Sequence, residues 1–235
     1  IGNEASHPVP QNATVLDGDG RFAIPGLFDM HTHTATLHPQ TARDVSWMDL
    51  WIAYGVTSVT DMGGDIGTLK AWSDRRTGFG APVPRVFSFG KMIESTPFIW
   101  SDSAYGVSDE QVRDIVRLEK EEGAAGVKSY FTLTWPLHRA VSAEARLQGL
   151  PVRAHGLIRE EVIREALLGV AGVEHMLPTN MYYDDILQLL AATGIHWTPT
   201  LTLVAPFLPE GSPMRPVMLE EVKRAYQARV PLLPG

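Results

Sequence analysis

The segment IPGLFDMHTHT, residues 24–34, is an apolar run that ends on two histidines separated by one residue. Seven further apolar runs follow it, and amphipathic segments typical of helices lie between most of them. Strands that alternate with helices predict βαβ units and a parallel sheet. The eight runs are residues 26–33, 55–62, 85–92, 126–131, 150–155, 171–176, 195–201 and 230–235.

The number of runs favours a barrel. Eight strands in 235 residues predict an α/β protein with a distorted (β/α)8 TIM barrel. An open doubly wound sheet is the alternative fold. The turn-rich residues 1–22 are predicted to be a lead-in or the remnant of a small β domain. Residues 23–235 are predicted to form the barrel, with the last helix missing at the C-terminus. The clearest helix follows Ser108, which can cap it, and ends at Gly123.

The composition excludes several classes of protein and of site. A formal net charge of -7 without a Lys/Arg-rich tract argues against a nucleic-acid partner. No apolar run approaches the roughly 20 residues that span a bilayer, so no membrane partner is expected. The absence of cysteine excludes disulfides, thiolate nucleophiles and Cys-ligated zinc. Any metal ion must therefore be held by His, Asp, Glu or a modified Lys.

Candidate ligands stand where the predicted strands end. In a parallel barrel, catalytic residues lie at the C-terminal ends of the strands. The first run ends on His31 and His33, which share one face because alternate residues of a strand point the same way. The fifth run ends on His155, the sixth reaches His175, and the fourth carries Lys128. Zinc binds imidazole nitrogen, and a neutral lysine amine can react with carbon dioxide to form a carbamate that bridges two metal ions.

Each of these residues, taken alone, also has an ordinary structural interpretation. A His-X-His pair, a snorkelling lysine and an isolated histidine at a strand end are all common outside metal sites. It is the order of the whole set along the chain that favours a metal site. His7, His138 and His196 are interpreted as loop or structural residues. Arg153 is expected to face the surrounding helices and to be structural.

Five motifs, taken in order, resemble the amidohydrolase superfamily. They are IPGLFDMHTHT, GVTSVTDMGG, VKSY, VRAHG and GVEHM, and the nearest branch looks like the imidazolonepropionase-like and prolidase-like hydrolases. The resemblance covers the chain from about residue 20 onward. It implies a distorted TIM barrel that holds one or two divalent metal ions, usually zinc.

The resemblance also implies roles for the candidate ligands. His31 and His33 would bind the more buried metal ion, and His155 and His175 would bind the second. Lys128 would be carboxylated to N6-carboxylysine and would bridge the two zinc ions. A metal-bridging hydroxide would then cleave an amide (peptide-like) or ester bond, as in a dipeptidase or an amidase.

One departure from the family pattern opens two alternatives. The family has an aspartate at the end of strand eight that binds the buried metal ion and shuttles the proton, whereas here the eighth run reads VPLLPG and stops at Gly235. The chain is therefore expected to be a fragment of a longer hydrolase, with weak metal binding and little turnover. In a mononuclear deaminase or cyclic-amide hydrolase, Lys128 would be a plain structural lysine. A catalytically inactive barrel could instead serve as a binding module.

The substrate is expected to be a small molecule or a dipeptide. Tyr130, two residues past the lysine, is a candidate hydrogen-bond donor to the substrate or to the developing oxyanion. The long loop 91–106 carries Phe98, Trp100 and Tyr105, which suit an apolar or ring-bearing group or pack as a lid. His38 lies near the site and is a further candidate for substrate contact. A homo-oligomer is possible. No signal peptide is visible and the chain does not begin with Met, so the compartment stays undetermined, with the cytoplasm favoured.

Overall fold

The computed structural model describes residues 6–34, 48–79, 83–175, 182–204 and 208–234. Within these ranges the strands are β1 (Leu27–Thr32), β2 (Val56–Asp61), β3 (Arg85–Ser88), β4 (Ile93–Glu94), β5 (Ala104–Tyr105), β6 (Val127–Ser129), β7 (Val152–His155), β8 (Gly172–Glu174) and β9 (His196–Thr198). The helices are α1 (Met48–Ala53), α2 (Ile66–Phe79), α3 (Asp109–Glu122), α4 (Trp135–Leu147), α5 (Arg159–Leu168), α6 (Asp184–Thr193), α7 (Leu201–Val204) and α8 (Met214–Gln227).

The strands form two parallel sheets that join into one ring. The first sheet has the order β1-β2-β3, and the second has the order β5-β4-β6-β7-β8-β9. The amide of Ala125 donates to the carbonyl of Ser88 at 2.7 Å, which connects the end of β3 to the segment that leads into β6. On the other side, the amide of Met30 in β1 donates to the carbonyl of Pro234 at 2.8 Å. The ring closes, which confirms a barrel and argues against the open sheet.

The eighth predicted run completes this ring without forming a strand, so the prediction of a strand there was wrong. Among residues 230–234 only Leu232 forms a bridge, with Trp197 of β9. Pro231 and Pro234 lack the N–H donors that a continuous ladder needs. The segment therefore lies between β9 and β1 and is held by isolated hydrogen bonds.

The long loop 91–106 contains two short strands that its sequence did not indicate. In β4, Ile93 pairs with Ala104 of β5 on one side and with Ser129 of β6 on the other. Two-residue strands are too short to show an alternating pattern. Their effect is to fix both ends of the loop to the barrel, beside the strand that carries Lys128.

The helices cover the outside of the barrel, as the alternating pattern predicted. α3 begins after Ser108, whose hydroxyl accepts from the amide of Gln111 at 3.2 Å, and it ends at Gly123 with φ 97°. The largest core cluster packs these helices against β6 to β9, with Val116, Val141 and Trp197 fully buried. No described helix is long and apolar enough to cross a membrane.

The N-terminal lead-in lies outside the barrel core. The described residues 6–26 are exposed, and no strand forms among them. The assignment of residues 1–22 to a small β domain, and of 23–235 to the barrel, stays a prediction.

Candidate metal centre

Four imidazole rings and one phenol ring form a continuous row at the C-terminal mouth of the barrel. Ring centroids lie 5.0 Å apart for His33 and His31, 4.5 Å for His31 and His175, and 4.5 Å for His175 and His155. The ring of Tyr130 continues the row, 4.5 Å from His155. The ends of β1, β7 and β8 thus bring together the four histidines that the sequence singled out.

Lys128 of β6 faces the same cavity. Its side chain is fully buried, and its Nζ has no hydrogen-bond partner in the described part of the chain. Burial lowers the pKa of Lys128 to about 7, although the charge of Glu174 acts in the opposite direction. A large fraction of this amine is therefore neutral at neutral pH, and the neutral amine is the form that reacts with carbon dioxide.

The histidines are held in the neutral form that binds metal ions. Burial is the largest cause: it lowers the pKa of His33 to about 4 and the pKa values of His31, His155 and His175 well below 6.5. The charge of Lys128 lowers all four pKa values further. A neutral imidazole offers a nitrogen lone pair to a metal ion.

Two of the rings are oriented by hydrogen bonds at Nδ1. His31 Nδ1 lies 2.5 Å from Oε2 of Glu174, and His175 Nδ1 lies 2.8 Å from Oγ1 of Thr200. A carboxylate only accepts, so Nδ1 of His31 carries the hydrogen and its Nε2 keeps the lone pair. That Nε2 lies 3.1 Å from Nε2 of His33. Such bonds fix the tautomer and ring direction of metal-binding histidines.

The donor set fits a divalent cation. Nδ1 of His33, both ring nitrogens of His155 and Nζ of Lys128 are buried without a hydrogen-bond partner among the described residues. Such orphaned buried atoms are rare unless a ligand or ion satisfies them. Within the described ranges, no group of three His, Cys, Asp or Glu side chains is placed to hold a metal ion as the side chains stand. A set of imidazoles with a modified lysine is the kind of nitrogen and oxygen environment that zinc accepts.

Glu174 is a site residue that the motifs did not single out. It precedes His175, and regular alternation would turn the two side chains to opposite faces. His175 has φ 75°, a left-handed conformation that is uncommon for a residue other than glycine. This backbone break lets the fully buried Glu174 carboxylate reach His31 while His175 joins the row of rings. The one sequence signal was an acidic residue inside an otherwise apolar run.

The expectation that Arg153 faces the helices was wrong. Arg153 and His155 are two residues apart in β7, so they share the inner face of the barrel. The Arg153 guanidinium forms an ion pair with Glu174 at 2.5 Å and donates to the carbonyl of Met30 at 3.0 Å. It also contacts the hydroxyl of Thr198. Arg153 therefore lies inside the barrel and holds the Glu174 carboxylate that contacts His31.

The cavity that these residues line has a volume of about 370 Å³. Such a volume suits a small-molecule ligand. Its wall includes His31, Thr32, His33, Met92, Trp100, Lys128, Tyr130, His155, His175, Thr200, Thr202 and Leu203.

The predicted substrate residues divide into three groups. Tyr130 and Trp100 line the cavity. Phe98 and Tyr105 are absent from its described wall and instead contact each other edge to face, with ring centroids 5.4 Å apart. His38 lies outside the described residues.

Comparison with known proteins gives the fold and the family. A search of curated proteins finds no significant match. A solved amidohydrolase is 22% identical, with a TM-score of 0.79 over 97% of this chain and 69% of that chain. A prolidase complexed with N-methylphosphonate-L-proline is also 22% identical, with a TM-score of 0.76 over 97% and 69%. A Xaa-Pro dipeptidase with bound methionine is 21% identical, with a TM-score of 0.68 over 90% and 65%.

These structures share the barrel fold, and this chain spans about two thirds of their length. The family model of the amidohydrolases matches residues 22–211, a range that holds the whole row of rings and Lys128. The chain belongs to the amidohydrolase family.

Proposed function

We propose that the protein is a metal-dependent hydrolase that cleaves an amide (peptide-like) or an ester bond. The observation that carries this proposal is the row of four neutral imidazoles, two buried and two part-buried, beside a buried lysine amine that has no hydrogen-bond partner among the described residues. Membership of the amidohydrolase family supports hydrolysis as the reaction class. Among the similar structures, one is a prolidase and one is a Xaa-Pro dipeptidase, which favours a dipeptide or a similarly small amide as the substrate.

The proposed cofactor is a pair of divalent cations, with zinc favoured by the nitrogen-rich donor set. His31 and His33 would hold one ion, and His155 and His175 the other, with N6-carboxylated Lys128 between them. When bound, the ions supply a water that is deprotonated near neutral pH and polarise the scissile carbonyl.

The protein side chains supply orientation and a proton donor. Glu174 keeps the hydrogen of His31 on Nδ1, away from the cavity, and Thr200 orients the ring of His175 through its Nδ1. Burial raises the pKa of the Tyr130 hydroxyl above 10.0, partly offset by a hydrogen bond with the Trp100 side chain. Tyr130 therefore stays protonated at neutral pH and can donate to a developing oxyanion.

A mononuclear deaminase or cyclic-amide hydrolase is the second candidate function. The observation that favours it is that Lys128, with a pKa lowered to about 7, is still partly protonated at neutral pH, because the buried Glu174 carboxylate opposes the effect of burial. A charged ammonium does not form a carbamate, so Lys128 would then be a structural cation and the site would hold one ion.

Hydrolysis is tested on the purified protein after chelation and after reconstitution with zinc. The substrates are dipeptides with and without a C-terminal proline, N-acyl amino acids, aryl esters, amino-substituted heterocycles and cyclic amides. We expect zinc-dependent cleavage of an acyclic amide or ester. Replacing His155 with alanine should lower that activity by more than about 100-fold, since removing even a residue that only hydrogen-bonds to a metal ligand costs about 10–100-fold.

The matched control is His196→Ala. His196 is exposed at the far end of β9, where its Nδ1 lies 3.0 Å from the carbonyl of Ala171. This variant should keep the wild-type rate. Ammonia release from a heterocycle or ring opening of a cyclic amide would favour the second candidate. Zinc-independent hydrolysis, or equal rates for the two histidine variants, would contradict the proposal.

A further inference from the structure

Glu94 is a buried carboxylate whose hydrogen bonds with described residues go to one turn of the loop 91–106. The side chain is fully buried at the end of β4. Its Oε2 accepts from the amides of Ile99 and Trp100, both at 3.1 Å, and from the hydroxyl of Ser103 at 2.7 Å. Its Oε1 has no hydrogen-bond partner among the described residues. A buried charge needs such compensation, and among the described residues the side-chain hydrogen bonds that provide it come from a single turn.

The anchored turn carries a wall of the candidate site. Trp100 lines the cavity together with Tyr130, the last ring of the row. The amides of Gly106 and Ala104 donate to the carbonyls of Glu94 and Met92, both at 2.9 Å, so this segment is paired along its length.

The alternation of this segment places Glu94 on the cavity side. Met92 lines the cavity, and Ile93 belongs to the largest core cluster. Met92 and Glu94, two residues apart, therefore share the inner face. The carboxylate lies on the same face as the site whose wall it anchors.

We propose that Glu94 is a positioning residue that holds Trp100 as the apolar wall for a ring-bearing or bulky apolar group of the substrate. Two successive amides bound to one carboxylate oxygen fix the peptide plane between Ile99 and Trp100, and so hold the backbone from which the indole extends into the cavity wall. Hydrogen bonds to a charged acceptor are roughly twice as strong as neutral ones. The assignment of a substrate rests on the proposed function, whereas the anchoring of Trp100 does not.

The other aromatic residues of the loop do not share this role. Phe98 and Tyr105 contact each other, and the hydroxyl of Tyr105 lies 2.8 Å from Oγ1 of Thr96. They hold the outer part of the loop together. Among the three aromatic side chains of the loop, Trp100 is the one that reaches the cavity wall.

The anchoring is tested first without any substrate, through the accessibility of Trp100 to acrylamide quenching. The variants are Ser103→Ala, Glu94→Gln and Glu94→Ala, with the exposed Glu121→Ala as the matched control. The chain has six tryptophans, so the fluorescence of Trp100 must be isolated. Each protein is therefore measured with and without the additional change Trp100→Phe, and the difference in fluorescence is assigned to Trp100. We expect quenching of Trp100 to rise from Ser103→Ala to Glu94→Gln to Glu94→Ala, with circular dichroism and metal content unchanged.

The substrate role is tested by kinetics on two cleavable substrates, one with an aromatic side group and one with a methyl group. Trp100→Phe and Glu94→Ala should raise KM for the aromatic substrate by roughly tenfold, a typical effect of a changed apolar pocket. Any effect of the two variants on kcat should be the same for both substrates, so the readout is the ratio of the two KM values. KM for the methyl substrate should not change.

The outcomes separate this inference from the proposed function. If no substrate is hydrolysed, the proposed function fails, and the quenching series still decides whether Glu94 anchors Trp100. If Trp100 quenching is the same in wild type, Ser103→Ala and Glu94→Gln, the anchoring is overturned, even where Glu94→Ala does not fold. If KM rises equally for both substrates, the role in substrate selection is overturned.

Discussion

Replacing Lys128 with alanine is expected to remove the bridge of the metal centre and to abolish hydrolysis. The amine is fully buried on β6, next to the histidine-bearing β7, and has no hydrogen-bond partner among the described residues. If it carries a carbamate, its loss deletes a ligand of both ions. Metal content should fall from about two ions per chain to one or fewer, and activity should fall by more than about 100-fold. Elemental analysis and the amide assay measure both effects.

Chemical rescue distinguishes a carbamate from a structural lysine. The alanine variant leaves space for a short carboxylic acid such as acetate or propionate, which can take the place of the carbamate. We expect such acids to restore part of the metal content and activity in the Lys128→Ala variant only. If Lys128→Ala keeps the metal content of the wild type and the added acids do not restore activity, the bridging role of Lys128 is contradicted.

The modification itself should depend on pH in a defined direction. Burial lowers the pKa of Lys128 to about 7, and only the neutral amine reacts with carbon dioxide. In metal-free protein the carbamate should therefore form above pH 7 and decline as the pH falls below that value. The carbon-13 signal of protein equilibrated with labelled bicarbonate reports this directly.

Replacing Arg153 with methionine is expected to cause a large loss of stability. The change leaves the Glu174 carboxylate fully buried without its closest cationic partner. Removing one partner of a buried ion pair typically costs about 3–5 kcal/mol. For a chain of this size, 1 kcal/mol lowers Tm by about 2–4 °C. Thermal unfolding of the chelated protein should therefore show a Tm about 10 °C below wild type.

Two variants test the cause of this loss. Arg159→Met removes an arginine that pairs with Asp185 at 2.7 Å near the surface, and it should cost less than about 1 kcal/mol. The double variant Arg153→Met with Glu174→Gln should recover part of the stability, because no uncompensated charge stays buried. A Tm for Arg153→Met equal to that of Arg159→Met would contradict this account.

The fold could be predicted because its periodicity is local. Short apolar runs, helix caps at Ser108 and Gly123, and histidines at strand ends are all read within a few residues. Closure of the barrel also followed from the number of runs. The eighth strand was the exception, since its prolines interrupt the ladder although the run is apolar.

The position of Glu174 in the site was less predictable, because it depends on backbone conformation and on partners that are distant in the sequence. Glu174 faces inward through the left-handed backbone of His175, and nothing in the residue type signals that conformation. Arg153 was predictable: a spacing of two residues from His155 already places both on one face. Trp100 lines the cavity, whereas Phe98 and Tyr105 hold the outer part of the loop together. This difference follows from the hydrogen bonds of Glu94, which join residues five to nine positions apart.

The most direct test of the account is the metal content of the purified protein in equilibrium dialysis against saturating zinc, a condition that also counts the weakly held ions expected of a fragment. Elemental analysis should give about two ions per chain for a binuclear centre, and His31→Ala should lower that number. About one ion per chain, with unmodified Lys128, would support the mononuclear alternative. A folded protein that retains no stoichiometric metal would contradict the central claim that the four histidines form a metal centre.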